Sequence, residues 1–317
     1  MSKPSNLSLP IRMLPDFKER IWGVTNLKHW FAAAPEGTIG EAWFTAAENE
    51  TTAGAPLETL LRDNPQVLGN AADSLHPGLC PLLVKFLFTT SRLSVQVHPG
   101  DDYAQHHHNS LGKTEAWFVV DAQPEAAVAL GFKSQISPER LRDSAISGEI
   151  ESLLNWIPVK SGDIILVPAG TVHAIGSGVT ICEIQENSDI TYRLYDYGRP
   201  RELHLDHGCA VSDPGPYSPQ IGRRDLSQGR TALVECDYFR IEQLKQRGTT
   251  IELAGGLPHY TLLISIKGHG RIAGCAFEKA QVWLVPAHAD PVVIASADAE
   301  WLMAYLGTQP PPSVKIS

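Results

Sequence analysis

The stretch GDIILVPAGTVHAIG, residues 162–176, decides how this 317-residue chain is read. Its punctuation is Gly162, Pro168, Gly170 and His173. Gly162 and Asp163 turn the chain into an apolar strand, Pro-Ala-Gly reverses it, and His173 opens the returning strand. Taken alone, His173 would serve only the turn. Its weight depends on what other strands place beside it.

Upstream, RLSVQVH (92–98) alternates Leu93, Val95 and Val97 with Ser94, Gln96 and His98. Alternate side chains of a strand point to opposite faces, so Gln96 and His98 project into one compartment. In GKTEAWFVVD (112–121), Lys113, Glu115 and Trp117 share a face by the same rule. Between these strands lies PGDDY and then a triple histidine, 106–108, followed by NSLG. This region reads as a solvated loop, and the triplet is expected to hold no metal.

Further strands are predicted at 82–88, 126–131, 163–167, 171–175, 179–186 and 190–195, with turn signals between several of them. Two segments read as helical. Residues 56–69 set Leu57, Leu60, Leu61 and Val67 on one face. Residues 137–157 open with Ser137 as N-cap and Pro138 at the first helical position, and form a helical insertion at about 135–157. A fresh strand-rich segment starts at Thr231. The expected organisation is mainly β: a first sandwich over 1–230 and a second over 231–317.

Composition narrows the function. The net charge is −9 with no Lys/Arg-rich run, which argues against nucleic acid or an anionic membrane as partner. The opening MSKPSNLSLPIRMLPDFKER lacks the apolar core of a signal peptide, and PLLVKFLF (81–88) is too short to span a bilayer, so a cytoplasmic location is expected. The cysteines at 80, 182, 209, 236 and 275 form no CxxC pair and read as buried thiols.

The spacing around His173 resembles the second motif of the cupin superfamily, and Gln96-x-His98 with Glu115 resembles the first. The ordered series PLLVKFL (81–87), LSVQVHP (93–99), GKTEAWFV (112–119), VPAGTVHAIG (167–176) and EIQENSDITYRLYDYGR (183–199) is similar to the type I mannose-6-phosphate isomerases, in their short bacterial form. Trp22–Gly23 and GEAW (40–43) resemble the family's N-terminal segments. The resemblance implies two cupin-type jelly-roll sandwiches and one zinc ion per chain, held by Gln96, His98, Glu115 and His173. It places Arg193 in the active site; the charge that develops on the sugar oxygens makes Lys113 a candidate for a further cation beside the reacting atoms. It also implies a sugar phosphate substrate, with interconversion of mannose 6-phosphate and fructose 6-phosphate. The sequence departs from the family at Gly100, which separates His-Pro from the acidic pair, and at Ala116, where a larger residue is common.

Two other classes fit the same residues. Two histidines and a glutamate match the facial triad of non-haem iron dioxygenases, and a cupin can bind a sugar without turning it over. Lys85 and Lys113 are candidate anchors for a phosphate. No single general base stands out, and the oligomeric state, monomer or small homo-oligomer, stays open.

Overall fold

A computed structural model describes residues 7–71, 78–219, 223–227 and 229–317. Residues 1–6 of the opening segment, and residue 228 in the boundary stretch, lie outside the described residues.

Two β-sandwiches stand back to back. The first pairs a six-stranded antiparallel sheet with a five-stranded one. The larger sheet runs Asp16–Val24, Ile39–Trp43, Leu82–Phe88, Val179–Glu186, Glu115–Ala122, Ile164–Val167 in spatial order. The smaller runs Tyr192–Tyr195, Val95–Val97, His173–Ile175, Ala127–Phe132, Leu154–Pro158. In the second sandwich the larger sheet carries Phe239–Arg247, Asp298–Leu306, Thr261–Gly268 and Val282–Val285 as neighbours. Its outer strand is Ile11–Met13, which crosses from the N-terminus to pair with Val282–Val285, Ile11 opposite Leu284.

The two large sheets bury their outer faces against each other. Val84, Phe86 and Ile184 of one share a core with Ile241, Leu262 and Ile264 of the other. A strand covered on both faces needs apolar residues at nearly every position, which explains the run LLVKFLF, apolar but for Lys85. The opposite faces point into the sandwiches. Inside the first, Trp117, Val119, Ile165 and Ile181 fill the centre and leave one end for polar groups.

Three local expectations change. Asp101–His108 is a helix rather than a loop, ending at Asn109 in the left-handed conformation. Asp101 and Asp102 lie in its first turn and the histidines in its last, a distribution that suits the helix dipole. The helix over 56–69 is interrupted: Leu57–Asp63 stops before Pro65, and Pro65–Val67 continues as a short 3₁₀ turn. The insertion is helical only to Leu153. Pro138–Ser147 is capped by Ser137 as expected and terminated by Gly148 at φ 83°, Ile150–Leu153 adds one turn, and Leu154–Pro158 is a strand.

Candidate metal centre and its cleft

His98 follows the strand Val95–Val97, where Pro99 removes a donor from the ladder. Gln96 lies opposite His173 in register, so the first two polar groups meet the third across one sheet. Glu115 comes from the facing sheet, at the start of Glu115–Ala122. The excursion through Asp101–His108 closes when the Lys113 backbone N–H donates to Pro99 O at 2.9 Å. That contact sets Lys113 and Glu115 above His98. The sequence thus brings Gln96, His98, Lys113, Glu115 and His173 to one buried point.

One ligand-capable atom from each of His98, Glu115 and His173 lies within 4.8 Å of the other two. The ring orientations are fixed from behind. His98 Nδ1 donates to Ile190 O at 2.8 Å, and His173 Nδ1 donates to Thr171 O at 2.9 Å. Both Nε2 atoms therefore carry lone pairs: His98 Nε2 accepts from Lys113 Nζ at 3.1 Å and His173 Nε2 faces the Gln96 amide, with Glu115 Oε2 and Oε1 3.5 and 3.4 Å away. Such a carbonyl behind each imidazole is the usual support of a metal-binding histidine. Burial lowers the pKa of both rings, assisted at His98 by Lys113 and His173, and takes His173 to about 4. Both rings are neutral at working pH, as ligation requires.

Glu115 is 1 % exposed, yet neither carboxylate oxygen accepts an aligned hydrogen bond. Lys113 Nζ stands 2.9 Å from Oε2, an ion pair poorly aligned for one. A buried carboxylate left this way is costly, and a divalent cation between it and the two imidazoles would satisfy it. The donor set of two imidazoles and one carboxylate fits such an ion. Gln96 fits with one adjustment. Its Nε2 sits 3.2 Å from His173 Nε2 while Ser94 Oγ donates to its Oε1, so the amide must turn over to present oxygen.

Gln96 and Lys113, the neighbours of this cluster, line a cleft of about 500 Å³ together with Lys85, Glu183, Arg193 and Arg201, among others. Arg193 is the register partner of Gln96 on the adjacent strand. The ordinary expectation, that it pairs with Asp189 or Asp196, is not met. Asp196 takes Arg201 at 2.6 and 2.7 Å, and Asp189 faces Lys85 at 3.6 Å. Arg193 Nη1 donates to the Glu202 carbonyl at 2.8 Å, and its buried Nε makes no hydrogen bond. It is a cation in the cleft with no carboxylate partner among the described residues. Lys113 is held charged: burial alone would lower its pKa, but Glu115 and Glu183 outweigh that and raise it.

Glu183 escapes the sequence reading. It is 4 % exposed, accepts from Trp117 Nε1 at 3.1 Å, and lies 3.8 Å from Lys85 Nζ. Burial, reinforced by Glu115, raises its pKa above the usual carboxylate range. A signal did exist in the sequence. Lys85 interrupts LLVKFLF and Glu183 interrupts VTICEIQE, and the two are register partners on adjacent central strands. Single charges inside strands that are otherwise buried on both faces mark where the sandwich interior is polar. His106–His108 stay outside the cluster and are exposed, as expected, although helical. A larger cleft, about 780 Å³, lies between the large sheets near Trp30 and Lys279 and contains none of these groups.

No family model matches the chain. The mannose-6-phosphate isomerase ManA of Bacillus subtilis is 37 % identical over 285 residues, covering 83 % of this chain and 87 % of the relative. A mannose-6-phosphate isomerase of Streptococcus mutans is 35 % identical over 280 residues, covering 83 % and 86 %. The solved mannose 6-phosphate isomerase of Bacillus subtilis superposes with a TM-score of 0.85 at 30 % identity, covering 94 % of this chain and 99 % of that one. A zinc-bound mannose 6-phosphate isomerase structure shares the fold, with a TM-score of 0.75 at 15 % identity and coverage of 94 % and 99 %. With these relatives matched over most of their length, the chain belongs to the mannose-6-phosphate isomerase family.

Proposed function

We propose that this protein interconverts mannose 6-phosphate and fructose 6-phosphate, with zinc held by His98, Glu115, His173 and the turned amide of Gln96. The observation that carries the reading is the buried His98–Glu115–His173 cluster, whose carboxylate accepts no aligned hydrogen bond, next to Gln96 and Lys113 in the lining of a cleft that holds an arginine without a carboxylate partner. When bound, the metal supplies a Lewis acid that stabilises negative charge on the sugar oxygens.

The chain's own residues account for the rest. Isomerisation of the open-chain sugar removes the C2 proton, moves the electron pair into the C1–C2 bond as the C1 carbonyl oxygen takes the charge, shifts the hydroxyl proton from O2 to O1, and returns a proton to C1 as the C2 oxygen becomes the carbonyl. No oxidant or reductant is consumed. Glu183 is the group we assign to carry that proton, because it is a buried carboxylate in the lining of the cleft whose pKa is raised by burial and by Glu115. Arg193 stays charged throughout and offers fixed donors to the enediolate oxygens. Lys113 adds a second donor from the lining of the cleft. The phosphate, remote from C1 and C2, binds toward the outer cations of the cleft and orients the reacting carbons.

We assign the chemistry to residues 1–230 and a supporting role to 231–317. The relatives named above are isomerases, which favours this reading over a dioxygenase or a sugar-binding module. The test is a coupled assay of metal-analysed protein with mannose 6-phosphate, run beside an oxygen electrode. Fructose 6-phosphate should form with no oxygen uptake; oxygen uptake without isomerisation would overturn the proposal.

A further inference from the structure

We propose that His107, His108 and His207 form a second, exchangeable transition-metal site on the surface, distinct from the buried cluster. The triple histidine that reads as inert in the sequence ends the helix Asp101–His108, and the helix Leu205–Val211 packs beside the same strand, Tyr192–Tyr195. Between them three imidazoles form a triangle. Ring centroids are 5.5 Å apart for His107 and His207, 5.7 Å for His108 and His207, and 6.4 Å for His107 and His108. Three imidazoles bound to one zinc through nitrogens at about 2.0–2.1 Å set their centroids about 5–5.5 Å apart. The triangle is nearly that size already.

Two tyrosines steady the rings from behind. Tyr103 Oη lies 2.9 Å from His207 Nδ1, and Tyr192 Oη lies 2.6 Å from His108 Nε2. His107 stacks on Tyr103 at 4.1 Å, and His207 stacks on Tyr192 at 5.1 Å. Each of His108 and His207 therefore has one nitrogen engaged by a phenol and the other left for a metal, the arrangement that orients a ligand histidine. Asp206, the nearest carboxylate on the second helix, is tied to Arg142 at 2.7 Å. The free nitrogens do not yet converge on one point, and the exposed side chains of His107 and His108 must rotate to close the site. Desolvation and the neighbouring His106, His207 and His108 hold the His107 pKa below its ordinary value, which favours the neutral ring.

The site fits a borderline ion that accepts imidazole, such as zinc, nickel or copper. It sits behind the strand that carries Arg193 into the cleft, so a bound ion would clamp the two helices over Tyr192.

The experiment uses tag-free protein whose buried site has been filled with zinc and the excess dialysed away. Calorimetric titration with zinc should then show one further, weaker binding event. His107→Ala/His108→Ala and, separately, His207→Gln should each abolish that event and leave the dialysis-resistant metal unchanged. Tyr103→Phe should weaken it by ~10-fold or more, the scale of losing a partner behind a ligand. Copper(II) added to the zinc-filled protein should give an electron paramagnetic resonance spectrum with coupling to three nitrogens, lost in the double variant. A wild-type protein that takes up no second ion, a second event that survives in the double variant, or copper coupled to fewer than three nitrogens would each overturn the proposal.

Discussion

The two sandwiches repeat one plan and differ in what their inward-facing positions carry. Both larger sheets lead into a Val-Pro-Ala corner, Val167–Ala169 in the first and Val285–Ala287 in the second. The next residue is left-handed in each: Gly170 at φ 84° and His288 at φ 57°. A side chain at Gly170 would meet Val211 O at 3.1 Å, whereas His288 projects into solvent. Three residues on, the first sandwich places His173 and the second Pro291.

The registers carry the comparison inward. Glu115 pairs with Val167, and Thr261 pairs with Val285, so Thr261 occupies the place of Glu115. By the same count His259 stands for Lys113. Met303 stands for Glu183, since Leu263 faces Met303 as Trp117 faces Glu183. One interior gathers two imidazoles, two carboxylates and two lysines. The other closes over Trp283, Trp301, Met303 and Phe277. A sandwich frame therefore tolerates either filling, and a handful of inward positions decides which one becomes a site.

Substitutions at four positions test that contrast. The largest effect is expected for His173→Ala, which should empty the buried site and lower turnover by ~10³-fold or more, since a metal supplies several kcal/mol of charge stabilisation. Metal analysis beside the assay checks it, and full metal content would break the ligand assignment.

Glu183→Gln should keep the metal and fold while slowing turnover by ~10²–10⁴-fold, the range of general acid–base catalysis. Loss of solvent exchange at C2 in the same variant would identify the proton carrier. Arg193→Ala should also retain metal and lose ~10²–10³-fold, mainly in kcat, because charge on the sugar oxygens develops in the transition state. Arg193→Lys should recover part of that, as a compact ammonium cannot span two oxygens. Near wild-type rates in Arg193→Ala would reduce this residue to a structural role.

The smallest effects belong to the second sandwich. Thr261 is fully buried and its hydroxyl makes no hydrogen bond. Thr261→Val should leave metal content and activity unchanged and shift stability by no more than about 1 kcal/mol, in the favourable direction, by removing an unsatisfied polar group. Denaturant unfolding would show it. A variant that lost metal here would mean that the second sandwich is not the inert half.

The parts of the fold legible in the sequence are those governed by local rules. Two-residue alternation located Gln96 and His98 on one face, and the Gly162–Pro168–Gly170 punctuation located the corner before His173. Ser137 and Pro138 announced their helix correctly. The misses came where a short signal was outweighed. Turn-forming PGDD opened a helix because Gly100 served as its N-cap and the two aspartates suited its first turn. The 137–157 helix stopped at Gly148, whose left-handed backbone ends helices readily. Glu183 sits in a run that reads as plain core.

By itself the sequence determined the strand alternation and the corner glycines, because each follows from spacing along one chain, and it carried the motifs whose resemblance to the family singles out the polar residues from Gln96 to Arg193. Only the tertiary structure decided that Arg193 lacks a carboxylate partner and that Glu183 is buried beside Glu115. It alone showed that Ile11–Met13 completes the far sandwich, and that His207 stands next to the histidine triplet. These depend on sheet register and on the packing of segments distant in sequence, where burial and neighbouring charge, rather than residue type, set what a side chain can do.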